Sequence, residues 1–145
     1  MEIRALQSLP AALHPLVEES EREGYRFLRR LQGEYEAGRL RFDGPGEVLL
    51  GGFDGPDLVA VGGVSRDPHG GEADTGRIRH LYVRATHRRR GVGRQLVAAL
   101  EAHARGWFSS LVLRTDTEAA ARFYSRLGYQ ALPPGGTATH RRDLP

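Results

Sequence analysis

The chain has 145 residues, of which 39% are hydrophobic and 27% are charged, values typical of a folded domain and not of a disordered chain. The absence of cysteine excludes disulfides, thiol catalysis and cysteine-ligated metals, and no apolar run approaches the roughly 20 residues of a membrane-spanning helix. All 21 basic residues are arginine, and the net charge of +3 allows an anionic partner without identifying one.

The N-terminal segment predicts one strand and two helices. The apolar run Ile3–Leu6 favours a short strand. Two series of apolar residues at helical spacing follow, and the helices are predicted to end near Gly24 and near Gly38. These apolar residues are Leu13, Leu16 and Val17 in the first helix, and Phe27, Leu28, Leu31 and Tyr35 in the second.

Three strands are predicted next. Glu47–Phe53 and Leu58–Val64 are largely apolar, and the turn composition of Asp54–Asp57 joins them into a hairpin. The segment Arg66–Gly76 is rich in Gly, Pro, Asp and His, which predicts a loop. Ile78–Val83 is the third of these strands.

The C-terminal half alternates helices and strands. A helix is predicted to start near Gly91, a buried strand spans Leu111–Leu113, and a second helix ends at Gly128. Thr115 and Glu118 have the spacing of a capping box that would open this second helix. The faces expected to pack inward carry Val92, Leu96, Ala99, Leu100 and His103 in the first helix, and Ala119, Phe123, Tyr124 and Leu127 in the second.

Two further strands, Tyr129–Leu132 and Thr137–Asp143, would pair with each other and close the sheet. The order of elements predicts an α/β fold, with a mixed central sheet of about six or seven strands and helices on both faces. We expect residues 1–145 to form a single domain of this type.

The segment that indicates a binding site joins the strand Ile78–Val83 to the helix that follows it. The first amides of a helix have no internal acceptors, and the helix dipole adds partial positive charge there. Glycines at 91 and 93 would leave these amides bare, so the segment predicts a site for a diphosphate. Its residues are Arg88, Arg89, Arg90, Gly91, Val92, Gly93 and Arg94.

Two other kinds of phosphate-binding loop lack a required residue here. A Walker loop has a lysine after its last glycine, and this chain contains no lysine. The dinucleotide-binding fingerprint requires a third glycine, but Leu96 stands three residues after Gly93. Both are therefore disfavoured.

Two segments carry a resemblance to a known family. The run Arg88-x-x-Gly91-x-Gly93 resembles the pyrophosphate-binding signature of the GNAT N-acetyltransferase superfamily, and Thr117–Tyr129 is similar to that family's second signature. The positions that match in the second segment are Ala120, Phe123, Tyr124, Gly128 and Tyr129. Thr117 stands where the family usually has asparagine.

The resemblance implies how a cofactor would be held. The strand at Leu81–Val83 would splay from the strand at Leu111–Leu113, and its free backbone groups would pair with the pantetheine arm of acetyl-CoA as an added strand does. An amide near Leu81 or Tyr82 would polarise the thioester carbonyl. The pyrophosphate would lie on Arg88–Arg94.

The resemblance also implies the reaction, which is transfer of an acetyl group from acetyl-CoA to a primary amine by direct attack in a ternary complex. Thr117 and Tyr124 would contact the cofactor, and Tyr124 would donate a proton to the departing thiolate. A phenol titrates near roughly 10 and a thiol near roughly 8.5, so the phenol stays protonated and can donate to the sulfur. Direct attack needs no protein nucleophile, so the lack of cysteine is no obstacle.

Several groups are candidates for the base that takes a proton from the acceptor amine. His80 lies on the strand expected beside the thioester and titrates in the suitable range. His140 and Glu47 are alternatives, and a chain of water molecules to bulk solvent is an equal competitor. No metal site is predicted, because the other histidines lack a partner at metal-ligand spacing. These are His14, His69, His87 and His103.

Arg77 and Arg79 alternate with apolar and aromatic neighbours on a strand that should be central, where an arginine requires an anionic partner. An internal Asp or Glu is the expected partner. A second hypothesis is that one of the two binds a carboxylate on the acceptor. A bulge in the strand would change which face each side chain occupies.

Three other functions would use the same segment: transfer of a different acyl group from CoA, CoA binding without turnover, and binding of anions or nucleic acid. The basic run has no interleaved aromatic residues, so we predict no nucleic-acid partner. The acceptor would be a small-molecule or peptide amine, and its identity is left open, as is a homodimer. We expect no membrane partner and a cytoplasmic location, because Met1–Arg4 lacks a signal-peptide layout.

Overall fold

The structure, a computed structural model, describes residues 1–69 and 74–145. Within these residues seven strands form one sheet: β1 (Glu2–Ala5), β2 (Val48–Asp54), β3 (Asp57–Arg66), β4 (Thr75–Val83), β5 (Ser110–Leu113), β6 (Gln130–Ala131) and β7 (His140–Asp143). Their spatial order is β1-β2-β3-β4-β5-β7-β6. The pairing of β4 with β5 is parallel and the other pairings are antiparallel, so the predicted mixed sheet is confirmed.

Four α-helices of the described residues pack on the two faces of this sheet. They are α1 (His14–Arg22), α2 (Phe27–Glu36), α3 (Val92–Ala104) and α4 (Glu118–Arg126). The first two cover one face, which we call the front, and the last two cover the back. In the described part of the chain, no helix has both the length and the apolar character of a membrane span.

The alternation of side chains along each strand produces two apolar cores. In β2, Leu49 lies in the front core with the apolar residues of α1 and α2, whereas Val48 and Leu50 lie in the back core with those of α3. The helical spacing seen in the sequence therefore reflects real packing, as Leu16 and Leu96 show, each with no exposed surface.

The strands β4 and β5 separate after three pairs of residues. Thr75–Arg77 pair with Ser110–Val112, and no later residue of β4 pairs with β5 in the described chain. The remainder of β4 keeps its antiparallel partner β3 on the other side. The expected splay between these two strands is therefore present, and it leaves a gap in the centre of the sheet.

A bulge interrupts β4 near this gap. Val61 pairs with Tyr82 and Gly63 pairs with Arg79, so His80 and Leu81 together stand opposite Gly62. His80 has a left-handed backbone, with φ +60°. The bulge shifts the alternation, and Arg79, His80 and Tyr82 consequently all belong to the front side, while Leu81 packs in the back core.

The prediction of a loop over Arg66–Gly76 was wrong at both ends. Arg66 belongs to β3, Thr75 and Gly76 belong to β4, and the amide of Asp67 continues the ladder by donating to the carbonyl of Thr75 at 3.0 Å. The polar composition that indicated a loop comes partly from a buried ion pair between Asp67 and Arg77 inside the sheet. Residues 70–73 of the predicted loop lie outside the described residues.

The prediction that Thr115 caps the helix before Gly128 was also wrong. Thr117 is the N-cap of α4, and its Oγ1 accepts a hydrogen bond from the amide of Ala120 at 3.1 Å. The amide of Thr115 instead donates to Oγ1 of Thr139 at 3.0 Å, which ties it to the chain before β7. Both threonines precede Glu118 closely, so spacing alone did not separate them.

The two threonines make a matched pair for testing the cap. Thr117→Ala removes the acceptor for an otherwise unsatisfied helix amide and should lower the free energy of unfolding by about 1 kcal/mol. Thr115→Ala removes a side chain that caps nothing and should cost clearly less. Urea unfolding of both variants measures the difference, and equal losses would contradict the assignment of the cap to Thr117.

Candidate functional site

The edge of β4 that faces the gap presents unpaired backbone groups. The amide of Arg84 donates to the carbonyl of Val59 in β3 at 2.8 Å, so by strand alternation the amide and carbonyl of Val83 point away from β3 and into the gap. The carbonyl of Val83 accepts a hydrogen bond from Nε of Arg88 at 2.9 Å. An extended ligand could therefore add to β4 here as another strand would.

The N-terminus of α3 lies just beyond this edge and has no cap. Its N-cap is Gly91, the amide of Gln95 makes the first intrahelical bond to the carbonyl of Gly91 at 3.0 Å, and within the described residues no side chain caps the helix. The amides of Val92, Gly93 and Arg94 precede that first bond and have no acceptor in the helix. The first turn holds no acidic residue. This helix end is suited to an anion.

The two glycines of the turn are required for different reasons. Gly91 has φ +76°, a left-handed conformation that side chains disfavour, and a Cβ there would meet open space. A Cβ at Gly93 would lie 3.2 Å from the ring of Phe123, so Gly93 allows α4 to pack closely on α3. The sequence predicted bare amides at both positions, but it gave no sign of the packing role of Gly93.

The basic residues of the turn fall into two groups. Arg88 forms a two-pronged ion pair with Glu23, the C-cap residue of α1, with N–O distances of 2.6 and 2.9 Å. Hydrogen bonding to Glu23 raises the pKa of Arg88, and the same contact lowers the pKa of Glu23. The other three, Arg89, Arg90 and Arg94, are exposed and form no ion pair with any described residue. They supply positive charge beside the uncapped helix end.

Glu19 of α1 and its C-cap residue Glu23 fix the turn, and sequence reasoning missed both. The hydroxyl of Tyr82 shares its one proton between Glu19, at 2.6 Å, and Glu23, at 2.7 Å, and Glu19 also accepts from the amide of Ala85 at 3.1 Å. Burial and these carboxylates raise the pKa of Tyr82 far above its usual range. The spacing of Glu19 and Glu23, four residues apart on one helical face, was the available signal.

Tyr124 lies in the back core on α4, with 6% of its surface exposed. Its ring meets Phe123 and Tyr129 edge to face, with centroids 5.0 and 5.6 Å away. Burial raises the pKa of the phenol well above its usual range, so it is protonated at any working pH. Its hydroxyl forms no hydrogen bond with the residues that the structure describes, which leaves it able to donate to a ligand.

A buried polar network holds Tyr129, the ring that packs against Tyr124. Glu101 of α3 accepts from the hydroxyl of Tyr129 at 2.8 Å and from Nη1 of Arg142 at 2.9 Å. The same Arg142 nitrogen donates to the carbonyl of Leu127 at 2.9 Å. The network joins α3, the end of α4 and β7, and it fixes the ring of Tyr129 against Tyr124.

His80 lies at the bulge with its ring edge-on to Phe42, the centroids being 6.3 Å apart. Both ring nitrogens are buried and have no hydrogen-bond partner among the described residues. Burial, and then the charge of Arg79, lower the pKa of His80 to about 4. The nearby backbone of Phe27 opposes this shift without forming a hydrogen bond of ordinary geometry. The imidazole is therefore neutral at neutral pH.

The other candidates for the base lie elsewhere. The two carboxylate oxygens of Glu47 accept from the backbone amides of Gly44, at 3.0 Å, and Arg66, at 2.8 Å. His140 is buried in β7 beside Oγ1 of Thr139, at 2.9 Å from its Nδ1. Neither Glu47 nor His140 forms a hydrogen bond with His80. No cluster of three His, Asp or Glu side chains suited to a metal occurs in residues 1–69 and 74–145.

Comparison with known proteins identifies this arrangement. The family model described as the acetyltransferase (GNAT) family matches residues 11–129. No curated protein matches the chain. Among solved structures, a protein from Exiguobacterium sp. 255-15 that is provisionally assigned as an acetyltransferase is 28% identical, with a TM-score of 0.83 over 99% of this chain and 94% of the other.

More distant structures share the fold. An acetyltransferase of the GNAT family from Staphylococcus aureus Mu50 is 15% identical, with a TM-score of 0.75 over 99% of this chain and all 100% of that one. An aminoglycoside 6'-N-acetyltransferase in complex with coenzyme A is also 15% identical, with a TM-score of 0.73 over 99% of this chain and 97% of that one.

The buried neutral histidine predicts a specific dependence of stability on pH. Between pH 6.5 and about 4 only the unfolded chain binds a proton at His80, so the free energy of unfolding should fall as the pH falls through this window. The loss from this group should reach about 3 kcal/mol. Urea unfolding at pH 7.5 and 4.5 should show a smaller loss for His80→Asn, since Asn tolerates left-handed backbone.

The exposed His14 provides the matched control, because His14→Asn should leave the loss of stability on acidification unchanged. Equal losses in the original protein and in His80→Asn would contradict the burial of a neutral imidazole at the bulge.

Proposed function

Because this chain belongs to the acetyltransferase (GNAT) family, and is therefore an acyltransferase, we propose that it moves the acetyl group of acetyl-CoA to a primary amine. The amine attacks directly in a ternary complex. The observation that carries this proposal is the uncapped N-terminus of α3 beside the gap between β4 and β5. The absence of cysteine agrees with a mechanism that uses no protein nucleophile, and with a cytoplasmic location.

The residues present fit coenzyme A. The amides of Val92, Gly93 and Arg94 would donate hydrogen bonds to the pyrophosphate oxygens, and the exposed Arg89 and Arg90 would add positive charge around them. The backbone of Val83 would pair with the pantetheine arm in the gap. Crystals of the aminoglycoside 6'-N-acetyltransferase with this fold contain coenzyme A, which supports the assignment.

Thr117 and Arg88 have more indirect roles in this proposal. The hydroxyl oxygen of Thr117 caps α4, and its proton remains available for the cofactor where a family member usually has asparagine. Arg88 holds the turn to Glu23 and covers the carbonyl of Val83. It therefore shapes the site as well as contributing charge.

The backbone after the bulge would supply the oxyanion donor. Acetyl-CoA supplies the thioester whose carbonyl carbon the amine attacks. Tyr82 pairs with Val61, and alternation turns its amide toward β3, so we assign the donor role to the amide of Leu81 next to the bulge. The strained residue His80 fixes the direction of that amide.

Tyr124 would act as the acid for the leaving group. As the carbon–nitrogen bond forms and the carbon–sulfur bond breaks, the phenol donates its proton to the thiolate. Its raised pKa keeps the proton on the oxygen until negative charge develops on the departing sulfur, and a proton from solvent then restores the phenol. The contacts with Phe123 and Tyr129 hold the ring in place.

The amine must lose a proton, and we assign this step to water, one of the routes that the sequence left open. Both ring nitrogens of His80 are buried and its pKa is lowered to about 4, so the imidazole has neither access to an ammonium nor the basicity to take its proton.

The proposed function is tested by thiol release. The protein, acetyl-CoA and a panel of primary amines should give free thiol at a rate above the hydrolysis of acetyl-CoA, and calorimetry should detect binding of acetyl-CoA alone. If no heat is released with the cofactor and no amine increases thiol release, the proposal is wrong.

Tyr124→Phe removes only the proposed proton donor. Turnover should fall by about 10²- to 10⁴-fold, while the affinity for coenzyme A, measured by calorimetry, stays within about twofold of the original value. Tyr129→Phe is the matched control. It loses the hydrogen bond to Glu101, so it should lower the melting temperature while turnover stays far above that of Tyr124→Phe. Unchanged turnover in Tyr124→Phe would remove Tyr124 from the mechanism.

A further inference from the structure

The front of the sheet contains a cavity of about 460 Å³, and Arg79 is one of the residues that line it. It is lined by residues of α2, of the chain that follows α2, of the end of β3 and of the middle of β4, among them Glu34, Leu40, Glu47 and Ser65. A volume of this size can hold a small molecule, and its charged walls suit a polar one.

Arg77 and Arg79 lie two residues apart in β4 but have very different partners. Nε of Arg77 donates to Asp67 at 2.9 Å, and its other nitrogens donate to the carbonyl and hydroxyl of Thr137 at 3.2 and 3.3 Å. Its side chain is 7% exposed. Arg77 therefore has the internal acidic partner that the sequence predicted, and it is not open to a ligand.

Arg79 is incompletely paired. Its single ion pair among the described residues is with Glu34, at 3.8 Å, which is too long for a hydrogen bond, and its side chain is 21% exposed. Glu47, on the far wall, has both oxygens engaged by backbone amides. Burial lowers the pKa of Arg79, so its neighbours do not fully replace the lost hydration. A half-buried guanidinium in this situation is well suited to an anionic ligand.

The position of Arg79 indicates which ligand supplies that anion. Arg79 immediately precedes the bulge at His80, and β4 and β5 converge at Arg77, so Arg79 lies at the closed end of the gap. A cofactor arm running from α3 along Val83 would bring its thioester toward this end. The phosphates of the cofactor would lie at the other end, at Gly91. The group that reaches Arg79 from the front cavity is therefore part of the acceptor.

We propose that Arg79 binds a carboxylate of the acceptor, so that the substrate is a small amine that also carries a carboxylate, as an amino acid does. This inference rests on the proposed function. The planar guanidinium can bind a carboxylate through two parallel hydrogen bonds, and Glu34 at its long distance keeps the side chain oriented without filling those positions.

The test compares amines in matched pairs that differ only in a carboxylate or a carboxamide. The panel contains α-amino acids and straight-chain ω-amino acids of increasing length, each with its amide, at saturating acetyl-CoA. At least one carboxylate should exceed its amide in kcat/KM by about 10- to 100-fold. Arg79→Gln should remove this preference by raising KM for the carboxylates far more than for the amides, and Arg79→Lys should restore part of it.

Arg105→Gln provides a control, since Arg105 is exposed at the end of α3, does not line the cavity, and carries the same charge. It should preserve the preference for carboxylates. Calorimetry with coenzyme A should give the same affinity for Arg79→Gln as for the original chain, which shows that the cofactor site is intact.

Two results would overturn the inference while leaving the proposed function standing: carboxamides or carboxylate-free amines react as well as carboxylates, or Arg79→Gln lowers both members of each pair equally. If no amine reacts and coenzyme A does not bind, the proposed function fails and the inference fails with it.

Discussion

The gap in the centre of the sheet is the feature on which the site depends. β4 has many buried side chains, yet beyond Arg77 it has no hydrogen-bonded neighbour on its β5 side in the described chain. A buried backbone group without a partner costs about 1–3 kcal/mol, so this edge needs an acceptor or donor from elsewhere. Arg88 provides one by donating to the carbonyl of Val83. In the proposed complex the cofactor arm would provide further hydrogen-bond partners. The unpaired backbone groups of β4 would then bind this arm.

The arginine-only composition divides into residues that hold the fold together and residues left for ligands. Asp67 pairs with Arg77, Glu23 with Arg88, and Glu101 with Arg142, at sequence separations of 10, 65 and 41 residues. Because such partly buried pairs cost much when one partner is removed, they fix positions more than they add stability. The exposed arginines after Arg88 are of the second kind, as is Arg79 with its single long ion pair. The arginines to which we assign ligands are those that the internal carboxylates leave incompletely paired.

The sequence predicted the elements well, because the apolar spacing of strands and helices reports burial directly. It also predicted that a helix begins near Gly91, since the apolar residues that follow this glycine have helical spacing. It could not predict contacts between distant segments. The pairing of Glu23 with Arg88 spans 65 residues, and nothing local indicates it. The bulge at His80 shows no composition signal, although it decides that Arg79 and His80 both face the front. The cap at Thr117 was missed because two threonines lie within reach of the same helix start.

The most direct test of this account is a crystal structure of the protein with coenzyme A. The account predicts that the pyrophosphate oxygens lie within hydrogen-bonding distance of the amides of Val92, Gly93 and Arg94, with the pantetheine arm paired to Val83 and its sulfur near the hydroxyl of Tyr124. A cofactor bound outside the gap, or a gap closed by continuous pairing of β4 with β5, would contradict it.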